Sequence, residues 1–242
     1  MRCARRALPR PIADGLSWHA IGFENGVGFR IAQATLLTVL LLPCLAAAGQ
    51  QPEDDRDREE RATYSPITSS ERAAWVGGEI ASAGALSSAA FSSALAMRGR
   101  SPKEWPRTAS GYGRRFADAQ AAAAVSSSIE AGLGTLWGED PRYARSARQE
   151  GWARVGHAVA SVALARRRDG RRAVAWARFA GALSGSVIEN AWLPPSAATR
   201  SRTSARVATN FAGQLAANLW IEFWPDLRRR LPLHSLRGDR RE

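Results

Sequence analysis

Alanine-rich stretches with helical periodicity are the feature that most constrains how this chain can fold. Apolar residues recur in them at helical spacing, and segments rich in proline, glycine or arginine separate them. Beyond residue 66 the sequence lacks the alternating β-branched runs and Asn-Gly turns that predict strands and hairpins. We therefore expect an all-α fold, a bundle of about five helices rich in Ala, Ser and Gly, without a sheet.

Capping and helix-breaking residues set the expected bounds of these helices. Ser69 or Ser70 can cap the first helix. Pro225 is expected to end the last one, and Asp226 to cap a short final turn at residues 226–231. The predicted helices span residues 69–97, 111–137, 150–167, 171–192 and 200–224, within a helical domain at residues 67–231.

The N-terminal region predicts export. Residues 31–48 form an uncharged apolar run that follows Arg30 and ends in three alanines, which is typical of a secretory signal peptide cleaved after Ala48. Residues 1–26 are too long and too polar for such a signal, and we interpret them as a misassigned start. The expected location is the periplasm or another part of the cell envelope.

Export limits the chemistry of the remaining chain. Cleavage of residues 1–48 removes Cys3 and Cys44, so the exported chain has no thiol. Disulfides, thiolate metal sites and cysteine nucleophiles are thereby excluded. We expect residues 49–66 to form a disordered, charged leader and residues 232–242 a basic tail.

The charge balance points to an anionic partner. Lysine and arginine number 34 against 22 acidic residues, for a formal net charge of +12, and Lys103 is the only lysine. Arginine binds phosphate and carboxylate groups with two parallel donors, although a GC-rich genome would also enrich arginine. Because the chain is exported and its arginines are spread over all loops, we expect an anionic lipid or lipopolysaccharide surface rather than nucleic acid.

The helices resemble membrane helices in part. Residues 80–97 carry no charge and are rich in small residues, and tryptophans lie near several predicted helix ends. The other helices contain internal charges, such as Asp118 and Arg178, and consecutive loops are all basic, which disagrees with the positive-inside rule. We therefore predict a protein peripheral to an anionic membrane. An integral bundle packed through small residues is the alternative.

Two groups of residues are candidates for a site. The segment EFWPDLRRRL, at residues 222–231, follows an apolar helix and suits an interfacial anchor, with Trp220, Trp224, Arg228, Arg229 and Arg230 as the binding residues; a plain capped helix terminus is the other interpretation. Ionisable residues inside apolar stretches could instead form a buried polar cluster: Glu130, His157, Glu189 and Glu222.

The buried polar cluster would suit a hydrolase or a ligand-binding domain. The sequence has no paired Glu-x-x-His motif, no G-x-S-x-G elbow and no phosphate-binding loop, so we predict no metal, no cofactor and no catalytic residues. On helix five, Asn210, Gln214, Asn218 and Glu222 recur at four-residue spacing, which fits either a buried polar network or a solvated helix face.

Three segments carry a family resemblance: SPKEW with GYGRRFADA (101–119), GEDPRY (138–143) and EFWPDLRRRL (222–231). In combination and order they resemble a family of uncharacterised bacterial envelope proteins with signal peptides, found in Acidobacteria among others. The chain departs from that pattern at Pro106-Arg107, where a glycine-rich stretch is usual. The resemblance implies an envelope location and supplies no activity, cofactor or catalytic residue.

Overall fold

The computed structural model describes residues 61–148 and 150–230. Helices make up 71% of this part of the chain, which confirms the all-α class. The predicted signal peptide, the misassigned start, residues 49–60 of the leader and the basic tail lie outside the described residues. The elements are, in chain order, α1 (Ser69–Ala81), α2 (Ala83–Arg98), α3 (Ala109–Trp137), β1 (Glu139–Asp140), α4 (Gly151–Ala163), β2 (Leu164–Arg167), β3 (Arg172–Val174), α5 (Trp176–Ile188), a 3-10 turn (Glu189–Ala191) and α6 (Arg200–Arg230).

The predicted helix at residues 69–97 is two helices that meet at Ser82. The backbone of Ser82 is extended, and its hydroxyl accepts a hydrogen bond from Ala85 N at 3.1 Å, so Ser82 caps α2. Thr68, rather than Ser69 or Ser70, caps α1. The helical spacing of apolar residues continues across the break, and for this reason the sequence pattern predicted one helix.

One buried arginine orders the loop between α2 and α3. Arg115 is 3% exposed and lies 5.7 Å from the centre of the Trp105 ring. Its guanidinium donates to five backbone carbonyls, those of Ser101, Pro102, Trp105, Pro106 and Gly111. These carbonyls replace water around the charge, so the loop solvates the side chain that orders it.

A three-stranded antiparallel sheet forms where one predicted helix was expected to end, at residue 167, and the next to begin, at residue 171. Strand β2 pairs with β1 through Glu139 and Arg167, and with β3 through Ala165 and Ala173. Gly170 makes the hairpin turn with a φ of 76°. The predicted helices at 150–167 and 171–192 are therefore too long, and the expectation of no sheet is wrong. The partner strand β1 is distant in sequence, so local periodicity does not reveal it.

The last helix continues past Pro225. Helix α6 contains Pro225 in its interior, so the predicted stop at this residue is wrong. Asp226 accepts a hydrogen bond from Arg154 at 2.6 Å and is not the cap of a separate turn. A proline inside a helix costs about 3 kcal/mol or more. The contacts that Arg154 makes with Glu222 and Asp226, on either side of Pro225, hold the helix together and offset that cost.

The helices pack side by side in the order α2, α3, α5, α6 and α4, with α1 also against α3. Helices α3 and α5 approach closely because Gly185 faces Ser126; a Cβ added there would lie 2.0 Å from Ser126 Oγ. The apolar core is small, and consists of Val162, Ala182 and Phe211 with partly buried Phe179, Val207 and Leu215. Many large apolar side chains consequently lie on the outer faces of the helices.

The segment GEDPRY links the sheet to the helices around it. Glu139 Oε2 accepts a hydrogen bond from Ala177 N at 2.9 Å at the start of α5, where a carboxylate also favours the helix dipole. Asp140 accepts from Arg142 and from the hydroxyl of Tyr64 at 3.0 Å. Residues 61–66 of the predicted leader therefore belong in part to the ordered structure, and this segment is a structural junction.

Candidate functional site

The exposed end of α6 carries the aromatic and arginine residues that the sequence analysis predicts to form an interfacial anchor. Trp220 is 58% exposed and stacks on Trp224, with the ring centroids 4.6 Å apart. Leu227 continues the same helical face and is 45% exposed. Arg228 and Arg229 are exposed in the last turn, and Arg230 ends the helix. The structure thus places four of the five predicted surface residues, those with described side chains, on one end of the molecule.

A tryptophan of another helix lies at the same end of the molecule. Helix α4 runs antiparallel to α6, since Arg154 contacts Asp226 and Asn218 contacts Ala158. Trp152, in the first turn of α4, therefore lies toward the C-terminal end of α6, and it is 87% exposed. We call the following set the terminal surface: Trp152, Trp220, Ile221, Trp224, Leu227, Arg228 and Arg229.

Glu222 anchors the terminal surface from the inside. Its side chain is fully buried. Its carboxylate accepts hydrogen bonds from Tyr143 Oη at 2.8 Å, Ser146 N at 3.1 Å and Arg154 Nε at 2.8 Å. Every donor comes from the loop after β1 or from the α4 helix that follows it, so this one carboxylate joins α6 to a part of the chain about 70 residues upstream.

Arg154 is the counterpart of Glu222. It also donates to the backbone carbonyl of Glu222 and to Asp226 Oδ2, and its guanidinium lies 4.5 Å from the centre of the Phe223 ring. Charge-assisted bonds of this kind are about twice as strong as neutral ones. The residues EFWPD therefore have a definite structural role: the acids and Phe223 bind Arg154, while the half-buried Trp224 stacks on the exposed Trp220.

The pKa values in this network follow from these contacts. Burial raises the pKa of the Glu222 carboxyl, but the hydrogen bonds from Arg154, Tyr143 and Ser146 outweigh it, so the net pKa lies below the ordinary value. The hydrogen bond from Arg154 also lowers the pKa of Asp226. Burial, followed by the bond to Glu222, raises the pKa of Tyr143. The pKa shifts of Glu222 and Tyr143 thus favour an ionised Glu222 that is held by a neutral tyrosine and the cationic Arg154.

The predicted buried polar cluster is divided among different helix pairs. Glu130 of α3 accepts from Arg178 of α5 at 3.1 Å. Glu189 lies 2.9 Å from Arg206 of α6, although the Arg206 Nε–H is not aligned with it as a hydrogen bond. His157 and Glu222 are brought near each other by Tyr143, whose ring packs 5.7 Å from the imidazole while its hydroxyl bonds the carboxylate.

Each predicted acid therefore has its own arginine at a separate helix interface. The pairs join α3 to α5, the end of α5 to α6, and α4 to α6. Burial raises the pKa of Glu130, against the opposing charge of Arg178, and raises that of Glu189 to about 7, against that of Arg206. Among the described residues, no group of three or more His, Asp or Glu side chains is arranged to hold a metal ion.

Sequence reasoning missed the arginine partners. Arg154, Arg178 and Arg206 lie inside apolar helices, in the same helical domain as the acids that they bind. The available signal was the presence of both charge types within apolar helices, since buried charges are paired. The polar series on α6 is likewise explained in part: Asn218 is fully buried and donates to Ala158 O, whereas Asn210 is exposed.

Comparison of the chain with protein-family models, with curated proteins and with solved structures finds no match. The family resemblance of the three segments thus stays a prediction. What the structure adds is that all three segments lie in hydrogen-bonded junctions, around Arg115, Asp140 and Glu222.

Proposed function

We propose that this protein is a non-enzymatic helical protein of the bacterial envelope that binds an anionic membrane surface through the terminal surface. The observation that supports this most is the combination, on one end of α6, of exposed Trp220 and Leu227 with exposed Arg228 and Arg229. An apolar face next to arginines is the pattern of helices that lie in a lipid interface. Phospholipid and lipopolysaccharide share the phosphate groups that arginine binds.

The anchor beneath the terminal surface supports the same proposal. The bonds from Arg154 to Glu222 and Asp226 fix α6 on both sides of Pro225, so the tryptophans are presented on a rigid helix. A surface that is already ordered loses less conformational entropy on binding. Tryptophan suits the water–lipid boundary because its ring is apolar while its N–H can bond to headgroups.

A sedimentation assay with lipid vesicles tests the proposal. The protein is recovered from the envelope of cells that express the full chain, and is mixed with vesicles of phosphatidylglycerol and phosphatidylethanolamine or of phosphatidylcholine alone. We expect binding to the anionic vesicles that salt weakens. Replacing Arg228, Arg229 and Arg230 with glutamine should lower affinity roughly ten- to hundredfold, since each arginine near an anionic surface contributes about 1 kcal/mol.

A matched control separates local binding from total charge. The Arg200→Gln/Arg202→Gln variant removes exposed arginines at the other end of α6, and Arg98→Gln added to it equalises the change in charge. This control should bind almost as well as the parent. Equal loss of binding in both variants, or equal binding to phosphatidylcholine, would contradict a role for the terminal surface.

An integral membrane protein is the second candidate, and the length, composition and exposure of α1 and α2 favour it. The stretch Ser69–Arg98 is apolar and long enough to cross a membrane, and 11% of its most apolar part is buried. Phe91 is 67% exposed and Leu95 52% exposed on α2. The close packing of Gly185 on Ser126 is also a pattern of membrane helices. The extended backbone at Ser82 interrupts this stretch and weakens the case.

A further inference from the structure

A polar cavity lies between residues 64–67, the first turn of α1, the C-terminal end of α3 and the end of β2. Arg72 and Arg168 line it from different elements, and Pro66 and Ile67 supply an apolar wall. Its volume is about 80 Å³, which is room for several water-sized groups, and the cavity opens to solvent. None of the residues of the terminal surface lines it.

Arg72 is held at this cavity by backbone carbonyls around the end of α3. Its Nη1 donates to Ala131 O at 3.4 Å, and its Nη2 donates to Glu139 O at 2.8 Å. These neutral acceptors use part of the donors of a guanidinium and do not balance its charge. Burial lowers the pKa of Arg72, and the charge of Arg168 lowers it further, although the carboxylate of Asp140 opposes both. The cation is therefore only partly compensated.

Arg168 supplies a second guanidinium from the end of β2. Its stem packs over Gly138, where an added Cβ would lie 3.3 Å from Arg168 Cγ, and its Nη2 donates to Thr135 O at 2.8 Å. The lack of a side chain at Gly138 thus lets the arginine reach back over the end of α3. In the described part of the chain, neither Arg168 nor Arg72 forms an ion pair with a carboxylate.

Asp140 is the one carboxylate among the described residues that line the cavity, and it already has partners. Its Oδ1 accepts from the backbone N of Arg142 at 3.0 Å, and its Oδ2 accepts from Arg142 Nη2 at 2.8 Å and from Tyr64 Oη at 3.0 Å. Arg142 also contacts Glu71 at 3.3 Å. The cluster thus sets three arginines, counting the two of the cavity, against two acids, so one positive charge is in excess.

Ser69 and the apolar wall determine which kind of anion fits. Thr68 caps α1, and the hydroxyl of Ser69, the first residue of the helix, makes no hydrogen bond to any described residue. This hydroxyl is a further donor for an anion. Pro66 and Ile67 offer an apolar contact that suits a short hydrocarbon group and that an inorganic anion does not use.

We propose that this cavity binds the carboxylate of a short-chain organic acid. Arg72 and Arg168 would donate to the two carboxylate oxygens, with the Ser69 hydroxyl as a third donor, and the hydrocarbon group would contact Pro66 and Ile67. Guanidinium groups match the planar geometry of a carboxylate. A single negative charge also equals the excess positive charge of the cluster. The site does not depend on the proposed role of the terminal surface.

A ligand-observed NMR titration with propionate, at constant ionic strength and neutral pH, tests this proposal on the protein recovered as for the vesicle assay. We expect saturable binding with a dissociation constant on the order of 1 mM, since the ligand has few atoms. Arg168→Gln should weaken binding by about fivefold or more, because a charge-assisted bond is lost. Ser69→Ala should weaken it by about two- to tenfold. The control is Arg167→Gln, the same charge change at an exposed neighbour that does not line the cavity, and it should bind as the parent does.

Two further compounds identify the group that is recognised. Propionamide has the shape of propionate without its charge and should show no saturable binding. Inorganic phosphate carries more charge and no hydrocarbon group, so it should bind more weakly than propionate. Thermal unfolding of each variant checks its fold. Absence of saturable propionate binding, equal or tighter binding of either other compound, or equal weakening by Arg167→Gln and Arg168→Gln would overturn the proposal.

Discussion

Arg154 of α4 and Glu222 of α6 form a buried ion pair, with 2.8 Å between Nε and Oε1, that fixes the helix carrying the terminal surface. The carboxylate is fully buried and also accepts hydrogen bonds from two residues of the loop after β1, Tyr143 and Ser146. The position of Trp220 and Trp224 on the molecule therefore depends on a pair of charges that the membrane itself would not touch.

Removing one partner of this pair should destabilise the fold strongly. Arg154→Met leaves Glu222 as a buried charge without its cation, and we expect a loss of about 3–5 kcal/mol in the free energy of unfolding. The Arg154→Met/Glu222→Gln variant removes both charges and keeps an acceptor for Tyr143, so it should recover at least half of that loss. Urea unfolding followed by circular dichroism measures both. Losses that simply add would show that the two side chains act independently.

Glu189 should make stability depend on pH. Its folded pKa of about 7 lies above the ordinary 4.5, so the folded state holds the proton more tightly than the unfolded state. The stabilisation is complete below about pH 4.5 and is lost as pH rises toward 7, by on the order of 1–3 kcal/mol. Glu189→Gln should flatten the profile in this window. A profile that keeps its slope in Glu189→Gln would assign the effect to other groups.

Arg115 should control access of proteases to the loop between α2 and α3. Arg115→Lys replaces a guanidinium that donates to five carbonyls with an ammonium that has three donors in another geometry. We expect trypsin to cleave after Lys103 and Arg107 several times faster in the folded protein. Arg114→Lys, at the exposed neighbouring position, is the control. Equal cleavage rates in the two variants would remove the ordering role of Arg115.

Two glycines should respond to alanine in opposite directions. Gly132→Ala places a methyl group in open space on α3, so it should stabilise the protein by up to ~1 kcal/mol. Gly185→Ala puts its methyl group against Ser126 and should cost about 1–3 kcal/mol. Adding Ser126→Gly should restore part of that loss, which thermal unfolding can measure. A neutral Gly185→Ala would show that α3 and α5 separate easily.

Local sequence patterns predicted the helices, and contacts between residues distant in the sequence explain where the structure differs from the prediction. The spacing of apolar residues located α3 to within two residues of its ends. Pro225 was expected to end a helix because proline loses a backbone donor; the bonds from Arg154 to Glu222 and Asp226 keep the helix intact. The hairpin around Gly170 needs a partner, β1, that lies more than twenty residues upstream, so its strands resembled helix ends in the sequence.

The residues of the candidate surface could be predicted from the sequence, whereas the contacts that hold them in place could not. Residue type and helical spacing are enough to identify Trp220, Trp224 and Arg228 as candidates for a membrane-binding surface. Glu222 was noticed as an acid in an apolar helix, but its pairing with Arg154 joins residues 68 positions apart, and spacing in the sequence does not reveal such a pair. The same holds for Glu130 with Arg178, at a separation of 48.

Fractionation of cells that express the tagged full chain tests the central claim most directly. Membranes are collected at low salt and washed first with high salt and then with alkaline carbonate, and the protein is followed in each wash. Peripheral binding through arginines and tryptophans predicts retention at low salt, partial release by high salt and complete release by carbonate. A protein that is soluble at low salt, or one that stays in the membrane after carbonate, would contradict the account.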